Sequence, residues 1–270
     1  MEINAANWQQ YAAAPAVDPA AWTALVPAAG HGSRLHYDRP KILYPIAGRP
    51  IVHWLLDLLA PNCQRVVFVL SPAGRAPVED ELNYYFPGRY DIVIQEVATG
   101  MGDAVQLGLP AVHTPNVAIV WGDQVALRPS SVERCMRLHA GPLEPDITCP
   151  TVFRENPYAY FERDSAGHIT GMRQSREGDT MPEIGESDTG FFCFKTDVLR
   201  PLLDELRHSA RRAGTLTHEF NFVPVVPFGA RKGLKVLTPH LMTLEETVGV
   251  NSKDDALIVE AFLRSSKARG

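Results

Sequence analysis

Short apolar runs alternate with longer amphipathic segments over the first half of the chain. The apolar runs predict buried strands at residues 24–27, 66–70, 92–94 and 117–121. The segments between them predict helices that begin after Pro50, around residues 78–86 and around residues 102–109. Because strands that alternate with helices form parallel sheets with right-handed crossovers, we expect an α/β fold with a doubly wound, mostly parallel sheet.

The pattern changes after about residue 145. Strand-like pieces at 147–153, 158–162 and 169–173 are separated by turn residues, which predicts a small β-hairpin insertion. Later segments predict strands at 191–194 and 235–237 and helices at 198–206 and 254–263. Residues 1–22 are rich in Ala and Pro without a clean period, and they predict an N-terminal arm or short capping helix before one domain at 23–270.

The charge balance argues against a nucleic-acid-binding protein. The 270 residues include 26 Lys and Arg against 31 Asp and Glu, a net charge of −5, so no basic excess is available to hold a phosphate backbone. The apolar runs fall well short of the ~20 residues that cross a bilayer. The first basic residue is Arg34, which indicates neither a signal peptide nor a transit peptide. We therefore expect a cytoplasmic protein with no nucleic-acid or membrane partner.

The cysteines are isolated from one another and from histidine pairs. This spacing excludes the common zinc motifs and favours reduced thiols in the core. The residues concerned are Cys63, Cys135, Cys149 and Cys193.

A Gly- and Ala-rich loop follows the first predicted strand, in the sequence Val26-Pro27-Ala28-Ala29-Gly30-His31-Gly32-Ser33-Arg34-Leu35. Side chains do not screen its backbone N–H groups, so we expect it to bind phosphate, with Arg34 and Lys41 as cationic partners. A dinucleotide-binding fingerprint would need a third glycine where Leu35 stands, and a P-loop would need Gly-Lys-Ser/Thr. A glycine turn without a ligand, with the basic side chains paired to Asp38, is the remaining alternative.

Two longer stretches carry a family resemblance. They are Ala28-Ala29-Gly30-x-Gly32-Ser33-Arg34 and Pro40-Lys41-x-Leu43-x-Pro45-x-Ala47-Gly48-Arg49-Pro50-Ile51. This pattern resembles the signature of the sugar-1-phosphate nucleotidyltransferases, and within them the N-acetylglucosamine-1-phosphate uridylyltransferase domain. Later landmarks that agree are Ala98-Thr99-Gly100-x-Gly102, Trp121-Gly122-Asp123, Glu186-Ser187-Asp188-Thr189-Gly190 and Val248-Gly249-Val250-Asn251.

The resemblance runs from about residue 23 to 263 and does not include the acyltransferase β-helix that some members carry. It implies a Rossmann-like nucleotidyltransferase sheet whose hairpin insertion binds the sugar. The implied reaction joins an NTP, with UTP favoured, to a sugar 1-phosphate and releases an NDP-sugar and pyrophosphate. Because both substrates are anions, the protein must mainly position them and neutralise charge.

The resemblance also implies a role for individual residues. Arg34, Lys41 and Asp123 are the expected catalytic residues, and Asp123 and Asn251 are the expected ligands of Mg²⁺. The sugar phosphate is already an anionic attacker, so we expect no catalytic role for His31. The nucleotide-binding candidates are Ala28, Ala29, Gly30, Gly32, Ser33, Gln95, Thr99 and Gly122.

The sugar side departs from the family pattern. A Gly-Tyr-Gly-Arg loop becomes Tyr158-Ala159-Tyr160-Phe161, a Glu becomes Gln174, and a Glu-x-Asn-Thr-Gly sequence carries Asp188 in place of Asn. Altered hydrogen-bonding partners predict an altered acceptor. The sugar-binding candidates are Gln174, Glu186, Asp188 and Thr189, and Arg173 and Arg176 are candidates for the sugar phosphate.

Three other functions are compatible with parts of this pattern. A cytidylyltransferase or another nucleotidyltransferase acting on a polyol or cyclitol phosphate would share the opening motif. A non-catalytic nucleotide-sensing subunit is disfavoured because Lys41, Asp123 and Asn251 are all present. A dinucleotide-dependent oxidoreductase is disfavoured by Leu35. The sequence is also compatible with a homo-oligomer.

Overall fold

A computed structural model describes residues 2–12, 16–30, 32–209 and 214–267. The strands are β1 (Trp22–Pro27), β2 (Pro45–Ile46), β3 (Arg49–Pro50), β4 (Arg65–Leu70), β5 (Tyr90–Ile94), β6 (Asn116–Val120), β7 (Ile147–Thr148), β8 (Thr151–Glu155), β9 (Ala159–Arg163), β10 (Ile169–Gln174), β11 (Ile184–Asp188), β12 (Phe191–Lys195) and β13 (Val236–Leu237). The helices are α1 (Ile51–Leu59), α2 (Arg75–Tyr85), α3 (Met101–Gly108), α4 (Pro129–His139), α5 (Thr196–His208), α6 (Val225–Arg231) and α7 (Lys253–Lys267). Within these ranges no helix is long and apolar enough to cross a membrane.

The central sheet has seven strands in the order β13-β7-β12-β6-β1-β4-β5. Strands β6, β1, β4 and β5 are parallel to one another, and β13 is parallel to β7. Strand β12 runs antiparallel to β6 and to β7, the strands on its two sides. Alternate residues of β1 point to two separate cores: Ala24 and Val26 pack in the core that includes α1, and Leu25 packs in the core that includes α3. The predicted doubly wound, mostly parallel fold is confirmed.

The insertion is larger than the single hairpin that the sequence predicts. Pro150 lacks an N–H donor, and the expected strand at 147–153 divides there into β7, in the central sheet, and β8, outside it. Strand β8 pairs antiparallel with β11, and β9 pairs antiparallel with β10. Strand β11 and helix α4 are not predicted by the sequence pattern, because each mixes polar residues with its buried positions.

The described N-terminal residues pack on the domain. A 3₁₀ turn at Trp8–Tyr11 buries Trp8, and the Arg137 guanidinium of α4 lies 4.9 Å from the centre of the indole ring. Ile3 is buried in the core that includes α1, and the backbone N–H of His240 donates to Ile3 O at 2.8 Å. This part of the chain therefore covers α4. All four cysteines are buried and free, as the sequence predicts.

A buried histidine makes the stability of the fold depend on pH. Burial, reinforced by Lys195, lowers the pKa of His139 from 6.5 to about 3. The unfolded chain binds this proton near pH 6.5 and the folded protein does not, so the free energy of unfolding falls as the pH drops below that value. We expect His139 to contribute a loss of about 2 kcal/mol between pH 7 and pH 5, measured by urea unfolding.

The His139→Gln variant isolates this contribution. It should lose most of the pH dependence between pH 7 and pH 5, whereas His168→Gln, at an exposed position, should retain it. An unchanged pH dependence in His139→Gln would show that other groups cause it.

Candidate active site

A cleft lies at the carboxyl ends of the parallel strands β1 and β6. Open α/β sheets bind ligands at this edge. Residues from the loop after β1, from the start of α3 and from the turn after β6 line the cleft: Ala28, Gly30, Lys41, Met101, Gly122 and Asp123. The two strand ends approach closely, because the Gly122 N–H donates to Pro27 O at 3.2 Å and a Cβ on Gly122 would lie 2.9 Å from the Ala28 Cβ. Only glycine allows this backbone contact.

The Lys41 ammonium joins two oxygens from distant parts of the chain. Its Nζ donates to Asp123 Oδ2 at 2.6 Å and to Asn251 Oδ1 at 2.8 Å. The Arg34 guanidinium donates to the same Asn251 oxygen at 3.3 Å. The structure therefore brings together all four residues that the sequence assigns to catalysis and metal binding, and Lys41 pairs with Asp123 rather than with Asp38.

Local structure fixes the position of Lys41. The residue begins a 3₁₀ turn at Lys41–Leu43 after Pro40, and the buried side chains of Ile42 and Leu43 anchor this turn in the core. Gly32 has φ +60°, and a Cβ there would lie 2.9 Å from the Lys41 Cβ. The glycine-rich loop therefore packs directly against the lysine side chain, and this contact requires the absence of a side chain at residue 32.

A buried carboxylate holds the two segments that carry Asp123 and Asn251. Glu246 accepts hydrogen bonds from the backbone N–H groups of Arg128 and Thr243, each at 3.0 Å. The Val250 N–H also donates directly to Asp123 O at 3.0 Å. These bonds explain how Asp123 and Asn251, which lie far apart in the chain, keep their oxygens side by side.

The oxygens of Asp123 and Asn251 fit a magnesium ion by their chemistry and by their convergence. Carboxylate and amide oxygens are hard donors, and both lie within 2.8 Å of a single cationic atom, Lys41 Nζ. The described residues hold no group of three or more His, Cys, Asp or Glu side chains that could bind a metal ion. Any metal bound here would therefore need substrate oxygens or water to complete its coordination, as Mg²⁺ commonly does.

The predicted base-binding residues occupy two different positions. Thr99 is exposed on the loop between β5 and α3, and its hydroxyl donates to Val97 O at 3.4 Å. Gln95 is buried, and its Nε2 donates to Gly100 O at 3.3 Å. The Gln95 side chain therefore contacts the loop through Gly100, which the sequence does not reveal, and its contact with the base stays a prediction.

Glu186 is bound by neighbouring side chains, although the sequence assigns it to the sugar. Arg163 Nε donates to its Oε2 and Arg163 Nη2 to its Oε1, both at 2.6 Å, and Thr151 Oγ1 donates to Oε1 at 2.7 Å. Burial alone opposes ionisation, but these bonds lower the pKa of Glu186 below its ordinary value. In this structure Glu186 joins β11 to β8 and β9, and its contact with the sugar stays a prediction from the sequence.

Asp188 lies beside the segment that carries Asp123. Its carboxylate accepts from the Gly190 N–H at 2.9 Å and from the Tyr158 hydroxyl at 3.2 Å, and Gly190 O accepts from the Trp121 N–H at 3.1 Å. Burial raises the pKa of Asp188. Thr189 is also buried, with no hydrogen-bond partner for its hydroxyl among the described residues.

The other candidates lie on the insertion or outside the described residues. Gln174 is half-buried, and its backbone N–H donates to Asp179 Oδ2 at 2.8 Å. Arg173 and Arg176 form exposed ion pairs with Glu162 and Glu219. His31 and the side chain of Ser33 lie outside the part of the chain that the structure describes.

Comparison with known proteins decides the family. Residues 24–184 match the family described as "MobA-like NTP transferase domain". The chain belongs to this family. The resemblance to the sugar-1-phosphate nucleotidyltransferases is confirmed.

Curated relatives of this NTP transferase include several named "Bifunctional protein GlmU". The protein from Carboxydothermus hydrogenoformans is 31% identical over 236 residues, covering 85% of this chain and 50% of that protein. The protein from Nitratidesulfovibrio vulgaris strain Hildenborough is 30% identical over 251 residues, covering 90% of this chain and 52% of that protein. The chain thus spans about half the length of these relatives.

A solved structure of the inositol-1-phosphate CTP transferase from T. maritima has a similar fold. It matches with a TM-score of 0.66 at 17% sequence identity, covering 90% of this chain and 96% of that chain. At this identity the likeness establishes the fold of the NTP transferase and nothing of its substrate.

Sequence reasoning missed several residues that build the site of this NTP transferase. Glu246 acts through bonds to residues far away in the chain, and no local pattern marks it. Tyr158 lies in the stretch that departs from the family pattern, but its bond to Asp188 is visible only in the structure. Gly249 does carry a signal, because it lies inside the Val248-Gly249-Val250-Asn251 landmark. A Cβ on Gly249 would lie 3.2 Å from Asp123 Oδ1 and 3.4 Å from Asn251 Nδ2.

Gly249→Ala should therefore impair transfer without unfolding the protein. The added methyl group must push the Asp123 carboxylate by a few tenths of an ångström, and we expect kcat for pyrophosphate release to fall roughly 10-fold. Circular dichroism should show an intact fold. In the control Gly171→Ala the new carbon meets only the end of the exposed Glu162 side chain, so activity should stay near wild type. Equal activities of the two variants would contradict the assigned geometry.

Proposed function

We propose that this protein transfers a nucleotidyl group from an NTP, with UTP favoured, to a sugar 1-phosphate in a reaction that depends on Mg²⁺. The observation that carries the proposal is the convergence of Lys41, Asp123 and Asn251 at the end of β6, with Arg34 on the same amide oxygen. Of these residues, Lys41 and Asp123 line the cleft at the edge of the sheet. Together the four residues supply both cations and metal-binding oxygens at one point.

In the proposed reaction the acceptor's phosphate oxygen attacks the α-phosphorus in line. A new oxygen–phosphorus bond forms, the bond to the bridging α–β oxygen breaks, and pyrophosphate leaves with the electron pair. Two anions must approach, so the Arg34 guanidinium and the Lys41 ammonium would neutralise phosphate charge and hold the reacting groups in place. The phosphate nucleophile carries no proton that a base would need to remove, so the chemistry makes no demand on His31.

Asp123 Oδ2 and Asn251 Oδ1 are the oxygens that would hold Mg²⁺. When bound, Mg²⁺ would neutralise phosphate charge and orient the triphosphate. The same two oxygens bind Lys41 in this structure, so we expect its ammonium to leave them and contact phosphate oxygens when substrate and metal bind. After this exchange both Mg²⁺ and the Lys41 ammonium would lie beside the phosphates and offset their negative charge.

The nucleotide would lie across the glycine-rich loop and the turn after β6. The loop whose composition favours phosphate offers the backbone N–H groups of Ala28, Ala29, Gly30 and Gly32. Gly122, in the turn after β6, lets that turn pack closely against Ala28 of the loop. Thr99 is the exposed candidate for the base, and Gln95 would act by holding the loop that carries Thr99. We retain Ser33 as a prediction from the sequence.

The acceptor would lie near Asp188, Thr189 and Gln174. Asp188 offers only hydrogen-bond acceptors when ionised, which suits hydroxyl groups better than the carbonyl oxygen of an acetamido group. This observation favours a second candidate function, CTP-dependent or other nucleotidyl transfer to a polyol or cyclitol phosphate. A nucleotide-sensing subunit that binds NTP without turnover is the third.

The organisation of the chain is part of the proposal. Residues 1–22 would form an N-terminal segment on a nucleotidyltransferase domain at 23–270. We further propose a cytoplasmic location, with small-molecule substrates and a homo-oligomer as the compatible assembly.

A pyrophosphate-release screen tests the function directly. Purified protein with Mg²⁺ is assayed against the common NTPs crossed with a panel of sugar, polyol and cyclitol 1-phosphates. Release that is fastest with UTP and a sugar 1-phosphate supports the proposal, and release that requires CTP and a cyclitol phosphate supports the second candidate. Silence across the panel, with NTP binding detected by thermal shift, would contradict both and favour the sensing subunit.

Lys41→Ala should remove most of the activity found in that screen. Loss of a preorganised cation beside the phosphates should raise the activation free energy by about 2–4 kcal/mol. This change corresponds to a fall in kcat/KM of roughly 30- to 1000-fold. Lys253→Ala is the control, because Lys253 is exposed at the start of α7. A Lys41→Ala variant with wild-type kcat/KM would exclude a role for this ammonium.

Tyr158→Phe should weaken acceptor recognition. The variant removes the hydroxyl that donates to Asp188. Loss of a donor at this buried carboxylate should change both its position and the balance between its ionised and neutral forms. We expect KM for the acceptor to rise roughly 10-fold, with KM for the NTP unchanged. Tyr84→Phe, at an exposed tyrosine of α2, is the matched control. A rise in KM for the NTP alone would place Tyr158 on the nucleotide side.

A further inference from the structure

A segment at residues 214–222, here called the cover segment, lies against the loop that carries Thr99. The Phe220 N–H donates to Thr99 O at 2.9 Å, and the Gly102 N–H donates to Phe220 O at 2.7 Å. A Cβ on Gly100 would lie 2.5 Å from Phe220 O. Backbone therefore packs on backbone, and the position of Phe220 sets the position of the Thr99 loop.

A single buried carboxylate, that of Glu177, organises the other end of the cover segment. Its oxygens accept from the N–H groups of Leu216 and Thr217, each at 3.1 Å, from Thr217 Oγ1 at 2.6 Å and from Asn221 Nδ2 at 2.9 Å. Thr215 Oγ1 also donates to the Glu177 backbone oxygen at 2.7 Å. Glu177 is 6% exposed, so water contributes little to this arrangement.

The hydrogen bonds around this carboxylate favour its ionised form. Burial opposes ionisation, but the hydrogen bonds from Thr217 and Asn221 outweigh it and lower the pKa of Glu177 to about 2. All four donors point at the two oxygens of Glu177. A neutral amide in place of this carboxylate would replace one accepting oxygen with an NH₂ group, which would face hydrogen-bond donors. The cover segment thus depends on the negative charge as well as on the shape of Glu177.

The location of Glu177 connects two sides of the site. It ends the 3₁₀ turn Ser175–Glu177, which follows β10 and the acceptor candidate Gln174. Its bonds lead through the cover segment to Thr99 and Gly102 at the start of α3. The cover segment therefore links the insertion to the nucleotide loop: Glu177 binds its residues Thr217 and Asn221, and the adjacent Phe220 binds the loop.

We propose that Glu177 is a positioning residue for the nucleotide: it holds the cover segment, and the cover segment holds the Thr99 loop against the bound base. This inference rests on the proposed assignment of the Thr99 loop to the nucleotide. Glu177 touches no reacting atom in this account. Its loss should weaken NTP binding far more than it slows the chemical step or weakens acceptor binding.

Two variants and one control test this proposal. Glu177→Gln replaces the carboxylate with an amide of the same size, and Thr217→Val removes the hydroxyl that donates at 2.6 Å while keeping the shape of that side chain. The control is Glu79→Gln, which breaks an exposed ion pair with Arg75 within α2, outside the cover segment. Each variant is assayed for KM of the NTP, KM of the acceptor and kcat, with NTP affinity measured by calorimetry and folding by circular dichroism.

We expect Glu177→Gln to raise KM and Kd for the NTP at least 10-fold, with kcat and acceptor KM within about 2-fold of wild type. Thr217→Val should change the same constants in the same direction by less, and Glu79→Gln should behave as wild type. The proposal is overturned if folded Glu177→Gln binds the NTP with wild-type affinity, or if NTP and acceptor constants change equally. Calorimetry distinguishes failure of this proposal from failure of the proposed function. A wild-type protein that binds NTP but releases no pyrophosphate contradicts the proposed function and leaves the role of Glu177 in NTP binding open to the same test.

Discussion

A single ammonium group contacts both of the oxygens on which the proposed chemistry depends. Lys41 Nζ lies 2.6 Å from an oxygen of Asp123 and 2.8 Å from an oxygen of Asn251. Such a half-buried charge must be matched by nearby oxygens, and conversely those oxygens need a cation. The sheet satisfies this requirement by ending β1 and β6 side by side, so that the loops after both strands open on one cleft. The third residue of this cluster, Asn251, comes from the segment just before α7.

Buried carboxylates keep the loops of this edge in place. Glu246 fixes the turn after Asp123 to the segment before Asn251, and Glu177 fixes the insertion to the segment that covers the Thr99 loop. Both accept hydrogen bonds from backbone N–H groups that no regular element would satisfy. A buried acid is costly unless its oxygens are fully hydrogen-bonded, so each of these loops has one well-defined arrangement. Glycines at residues 100 and 122 then allow backbone segments to touch where a side chain would separate them.

The sequence predicts the parts of the fold that rest on continuous local patterns. Strands β1 and β4 are apolar throughout and helix α1 follows Pro50, so their type and order follow from periodicity. The boundary at Pro150 and the polar strand β11 do not, because they depend on pairing with residues far along the chain.

The same distinction holds for the site. The motifs that contain Arg34, Lys41, Asp123 and Asn251 are visible in the sequence, and the structure brings their side chains together. The environment of Glu186 could not be foreseen, because its partner Arg163 stands on a different strand and both residues look like free charges in the sequence. Gln95 is similar, because a glutamine at the end of a strand can face a ligand or support a loop. Its hydrogen bond to the backbone oxygen of Gly100 is visible only in the structure.

The most direct test of the central claim is crystallographic. Crystals grown with Mn²⁺ and a non-hydrolysable NTP analogue would locate the metal by its anomalous signal, with Mn²⁺ replacing Mg²⁺ at an oxygen site. We expect one peak at about 2.0–2.3 Å from oxygens of both Asp123 and Asn251, with the Lys41 ammonium displaced onto phosphate oxygens. A nucleotide bound in the cleft with its metal elsewhere, and with Lys41 still between Asp123 and Asn251, would contradict it.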